Sequence, residues 1–144
     1  LGGLLAKGGL LEAEPKRAVK DLGKACDGEI ASACLELGLL LRAGQGVKPD
    51  QQQSARRMSM ACELGVVEAC YEVALLRIEG RGLTFDLDAG MEQLDGLCTD
   101  GHAPACASLA DLWLQGERVK RKKGKSKKYR EQACALGHQE SCPQ

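Results

Sequence analysis

The sequence predicts an all-α solenoid of about four 36-residue helical hairpins, and three observations predict it. First, the eight cysteines fall at Cys26, Cys34, Cys62, Cys70, Cys98, Cys106, Cys134 and Cys142, with gaps alternating between 8 and 28 residues. A fixed period in the thirties is the mark of stacked helical hairpins. Second, the stretches 35–47, 71–83 and 107–119 are apolar at helical spacing and carry a glycine at the same place, Gly44, Gly80 and Gly116. Third, small residues recur at two places of the period: Gly2, Gly38, Ala74 and Ala110 on one set of helices, and Ala18, Ser54, Gly90 and Ser126 on the other. Helices approach closely only where side chains are small, so these positions are expected to face each other inside each hairpin.

The elements follow from that register. Residues 35–47, 71–83 and 107–119 are the A helices. A charged turn follows each, as in VKPD (47–50), where Pro49 cannot continue a helix. The B helices are expected over about 51–64, 87–99 and 123–136. The whole of 1–144 reads as one solenoid with repeats at about 1–34, 35–70, 71–106 and 107–142. The first A helix is expected to start around or before Leu1 and reads as truncated, and the opening LGGLLAKGG does not read as a complete signal peptide, since it has no charged n-region.

The blocks ACDGEIASAC, ACELGVVEAC, LCTDGHAPAC and ACALGHQESC join a B helix to the next A helix. On one straight helix, a spacing of eight residues would hold a pair of cysteines about 12 Å apart, whereas a disulfide needs Cα atoms roughly 4.4–6.8 Å apart. If bonded, the helix must break between them, and Gly28, Gly65, Gly101 or Gly137 can end it. Zinc clusters usually show C-x2-4-C pairs, and every pair here is C-x7-C, which weighs against metal. Buried free thiols are a further reading. Four disulfides are the preferred one, each contributing roughly 2.5 kcal/mol by loop entropy. They imply an oxidising compartment, secreted or periplasmic, with the mitochondrial intermembrane space as the alternative.

Composition excludes several functions. Hydrophobic residues at 44% and charged residues at 28% describe a globular chain. Tyr71, Phe85, Trp113 and Tyr129 are the whole aromatic complement, too few for a nucleic-acid stacking platform. No apolar run reaches the roughly 18 residues of a membrane span. No serine opens an S-x-x-K, and S-D-N and K-T-G are absent. Gly124-Lys125-Ser126 imitates a phosphate-binding loop, but Val119 stands where its first glycine belongs. His102 and His138 lie one period apart after the turn glycine and read as polar helix-entry residues. No metal or cofactor is expected.

One segment breaks the pattern. Arg118, Lys120, Arg121, Lys122, Lys123, Lys125, Lys127, Lys128 and Arg130 put nine basic residues into thirteen. Residues 1–117 hold 11 basic and 18 acidic residues, net −7; residues 118–144 hold 9 and 2, net +7. The zero total hides a dipolar molecule. The plain reading is a solvated loop and helix start; the functional readings are an acidic partner, an anionic surface, or the acidic region of another copy.

GQGV (44–47), KPD (48–50) and ACELG (61–65) resemble Sel-like repeats, relatives of the tetratricopeptide repeats, and the paired cysteines resemble the Helicobacter cysteine-rich protein family. GRGLTFD (80–86) is looser, GERVKRKKGKS (116–126) lacks the second Gly and the Asp, and AKGGLLEAEPKRA (6–18) has a displaced loop at Gly8 and Gly9. The resemblance implies a right-handed αα superhelix that scaffolds protein or peptide partners on a concave face lined by A helices. By the tetratricopeptide analogy the contacts are Leu39, Arg42, Tyr71, Leu75, Ile78, Asp111 and Leu114, with Trp113 either a contact or a packing residue. The resemblance also implies an alternative, penicillin binding with weak β-lactamase activity, for which no motif is present.

Overall fold

A computed structural model describes residues 9–44 and 46–143, with side chains from Glu14 onward. Among them, seven helices follow one another: α1 (Gly9–Asp27), α2 (Ala31–Ala43), α3 (Gln51–Glu63), α4 (Val67–Glu79), α5 (Leu87–Thr99), α6 (Ala103–Gln115) and α7 (Lys123–Ala135). A single 3-10 turn, Gln139–Ser141, closes the described chain. The fold is an all-α solenoid in which α2–α3, α4–α5 and α6–α7 form hairpins. The expected first A helix, with Gly2 and Gly8, lies outside the described residues. Gly9 does not belong to a loop but opens α1, which runs through Pro15.

The B helices lie where the period places them. The A helices begin four residues earlier than expected, at Ala31, Val67 and Ala103, so Cys34, Cys70 and Cys106 sit inside the first turn, and Cys142 directly follows the 3-10 turn. The reason is reach. All eight cysteines are bonded, in the pairs Cys26–Cys34, Cys62–Cys70, Cys98–Cys106 and Cys134–Cys142. Their Cα atoms are 4.6–4.8 Å apart, and only a helix that restarts immediately after the bend brings the second sulfur back over the first. The bridges therefore join one hairpin to the next, where packing is sparser than inside the hairpins.

Each bend has the same backbone lock. Ile30, Val66, His102 and His138 donate their N–H to the carbonyls of Ala25, Ala61, Leu97 and Ala133 at 2.9–3.1 Å. The residue before each has positive φ: Glu29 at 66°, Gly65 at 98°, Gly101 at 100° and Gly137 at 99°. This is the Schellman pattern, with a left-handed residue one place past the cap. In the first bend that residue is Glu29, not Gly28.

Inside the hairpins the small residues meet as expected. Ser54 Oγ donates to the Gly38 carbonyl at 2.6 Å. A Cβ on Gly90 would lie 2.5 Å from Ile78 and 2.8 Å from the Ala74 carbonyl. The core is thin and made largely of alanine and cystine. One cluster holds Cys26, Ala33, Cys34, Met58, Ala61, Ala69 and Val73; the next runs from Ala74 and Ile78 through Leu94, Cys98, Cys106 and Leu109 to Ala133.

Candidate binding face

The A helices of a stacked array expose one stripe each, at positions repeated every 36 residues. Glu36, Glu72 and Ser108 form one row across α2, α4 and α6; Leu39, Leu75 and Asp111 form the next; Ala43, Glu79 and Gln115 a third. Two polar contacts tie neighbouring A helices together. Arg42 Nη1 on α2 donates to Glu72 Oε2 on α4 at 2.7 Å, with both side chains about a third exposed. Such a pair is worth up to about 1 kcal/mol after screening. The hydroxyls of Tyr71 on α4 and Ser108 on α6 lie 2.7 Å apart, and the Tyr71 ring stands 5.1 Å from the His102 imidazole.

Between α4 and α6 the stripe opens into a groove of about 420 Å³. Leu75, Ile78 and Leu112 supply its apolar lining; Ser108, Gln115, Asp111, Glu79, Glu117, Arg81 and Arg118 supply its polar one. Both of its cations make contacts within the chain. Arg81 pairs with Glu79 at 2.9 Å, and Arg118 donates to the Ile78 carbonyl at 2.9 Å. Asp111 and Glu117 are exposed and form no ion pair among the described residues. The groove therefore offers the carboxylates of Asp111 and Glu117 beside leucines, with the Arg118 guanidinium, bonded only to a neutral carbonyl, among them.

The seven residues named from the sequence separate here. Leu75 and Asp111 line the groove, and Tyr71 reaches its edge through Ser108. Arg42 is held by Glu72, while Leu39 and Leu114, each 40% exposed, lie on the surface outside the groove. Ile78 also lines the groove, but only 2% of it is exposed, because its side chain packs over Gly90. Ser108, Gln115 and Glu79 join the site from outside the sequence-derived set, although Ser108 lies one period from Glu72 and Gln115 one period from Glu79.

The basic segment also divides. Arg118 turns inward to α4. The ammoniums of Lys122 and Lys125 lie 5.6 and 4.3 Å from the Trp113 ring centroid, so the half-buried Trp113 ring sits under two cations. The rest cover α7. No cluster of metal-ligating side chains occurs among the described residues, and no described helix is long and apolar enough to cross a membrane.

No protein-family model matches the chain, and no curated protein matches it by sequence. Solved structures do match by fold. A Sel1 repeat protein from Oxalobacter formigenes superposes with a TM-score of 0.76 at 24% identity, over 97% of this chain and 57% of that one. A protective antigen of uropathogenic Escherichia coli displaying an SLR fold gives 0.75 at 24% identity, over 85% of this chain and 26% of that one. The Helicobacter pylori cysteine-rich protein B gives 0.63 at 24% identity, over 94% and 98%. This chain thus spans little more than half of the first structure and about a quarter of the second. The fold is that of the Sel1-like, cysteine-rich repeat proteins.

Proposed function

We propose that this chain is a disulfide-stapled repeat scaffold of an extracytoplasmic compartment, secreted or periplasmic, that binds a protein partner through an extended segment laid along its A helices. The observation that carries this reading is the groove between α4 and α6, with Leu75 and Leu112 beside the unpaired carboxylates of Asp111 and Glu117. Helical-repeat solenoids use such continuous faces for binding. The chemistry selects a segment that places an apolar side chain next to a lysine or arginine. Four bridges, with no free cysteine, support the oxidising compartment. A displayed random-peptide library panned against the oxidised chain tests the reading. Selected peptides should pair an apolar residue with a basic one, and should lose at least tenfold in affinity on Asp111→Lys or Leu75→Ala. Peptides that bind both variants as tightly as the parent would remove it.

The β-lactam reading has one observation to work from, the Tyr71–Ser108 hydroxyl pair at the groove edge. Among the described residues neither hydroxyl is hydrogen-bonded to a lysine, a histidine or a carboxylate, so no general base takes the serine proton. Incubation of the oxidised chain with a chromogenic β-lactam separates the two readings: turnover abolished by Ser108→Ala would establish hydrolysis at this pair.

A further inference from the structure

Three matching positions of α3 and α5 are Gln51, Ala55 and Met58 on α3 and Leu87, Met91 and Leu94 on α5; Gln51 is exposed, and the other five are wholly or partly buried. Ala55, Met58 and Leu94 are fully buried, and Leu87 and Met91 pack against the cluster that runs from α4 to α7. One period on, the same positions of α7 are Lys123, Lys127 and Arg130, all exposed. A face that is mainly apolar on α3 and α5 has become wholly cationic. Among the described residues none of these three cations forms an ion pair.

Helix α5 carries the opposite charge at the same spacing. Asp88, Glu92 and Asp95 stand at i, i+4 and i+7, exposed, on a helix of 13 residues like α7. They too form no ion pair among the described residues; Asp95 accepts a hydrogen bond from Tyr129 at 2.8 Å. Residues at i, i+4 and i+7 line one side of a helix, so two such helices lying side by side bring their charges into register. Within one chain the stripes point different ways: one period after Asp88, Glu92 and Asp95 come Gly124, Lys128 and Glu131, not the cationic three.

We propose that the cationic face of α7 docks on the acidic stripe of α5 of a second copy of this chain. The charge distribution favours a copy over an unrelated acidic protein. An acidic protein would meet repulsion from residues 1–117, net −7, whereas a copy presents both poles and a total charge of zero. This surface is separate from the groove, so its failure leaves the peptide-binding reading untouched. Exposed ion pairs are individually weak and screened by salt, so the association is weak and salt-sensitive.

Sedimentation velocity on the oxidised chain tests this at about 20 mM salt, where the Debye length is about 20 Å, and about 0.5 M, where it is about 4 Å. The chain should sediment as more than a monomer at low salt and as a monomer at high salt. The variant Lys123→Glu/Lys127→Glu/Arg130→Glu, and independently Asp88→Lys/Glu92→Lys, should be monomeric at low salt, with circular dichroism and Tm confirming the fold. Asp95 is left in place because it holds Tyr129. A control with the same charge change elsewhere, Lys16→Glu/Lys20→Glu/Arg56→Glu, should still associate. A monomeric parent at low salt overturns the proposal, as does a control that dissociates equally. A monomer that instead co-sediments with phosphatidylglycerol vesicles overturns it too and assigns the α7 face to an anionic lipid surface.

Discussion

Glu29 is the one non-glycine residue with positive φ among the described residues. Its counterparts Gly65, Gly101 and Gly137 have open space where a Cβ would stand, so glycine serves those bends through backbone freedom alone. A left-handed conformation costs an ordinary L residue about 1 kcal/mol. Glu29→Gly should therefore raise stability by about 0.5–1 kcal/mol, read as a higher urea midpoint; an unchanged or lower midpoint would show that the glutamate compensates elsewhere. Tyr129 offers a pH test. Burial, and then the hydrogen bond and charge of Asp95, push its pKa up to about 12 from 10.0. The folded state holds the phenol proton more tightly than the unfolded one. This contribution is complete below pH 10 and is lost as pH rises from 10 towards 12. Absorbance titration of a Tyr71→Phe background should show the remaining phenol ionising near 12, and Asp95→Asn should lower that value while burial, the largest single cause, keeps it above 10.0.

At the scale of the helix, the sharpest contrast is at the B-helix entry. Asp50 accepts from the Gln53 N–H and Asp86 from the Ala89 N–H, both at 3.0 Å, and so cap α3 and α5. One period on stands Lys122, with no side-chain cap and with Lys123 and Lys125 in the first turn. Its backbone keeps the same contact, donating to the Trp113 carbonyl as Asp50 and Asp86 do to Leu41 and Arg77. Only the side chain is wrong for the place, where positive charge opposes the helix dipole. Lys122→Asp should stabilise the fold by about 1 kcal/mol, or roughly 2–4 °C in Tm; a fall in Tm would show that the Lys122–Trp113 contact outweighs the cap.

For the molecule as a whole, the bridges and the thin core have to be weighed together. Four loops of this size contribute about 10 kcal/mol in total by loop entropy, as much as the net stability of a typical domain, roughly 5–15 kcal/mol. The buried apolar set is rich in alanine, and alanine adds little transfer energy. Reduction with a strong thiol reductant should therefore abolish cooperative helix melting near room temperature, measured by circular dichroism. Retention of the oxidised melting curve would mean that the hairpins hold one another without the bridges.

The period of 36, the place of each bend, the B helices and the pairing of small residues within hairpins are legible in the chain itself, because each depends on residue types repeated in register. The A helices start one turn before the place the period suggests, since the spacing of Cys26 and Cys34 does not say on which side of the second cysteine the helix resumes. Leu75 and Ile78, three residues apart and equally apolar, look alike in sequence: both line the groove, but Leu75 stays partly exposed while Ile78 is buried in the hollow at Gly90. Arg118 has no periodic guide, because Gly46 and Gly82 hold its place elsewhere and have no side chain to turn towards α4. Sequence alone thus determined the repeat and its staples, through local turn chemistry and spacing. Tertiary structure decided which side of each helix meets water, because that depends on how close a neighbouring hairpin can come.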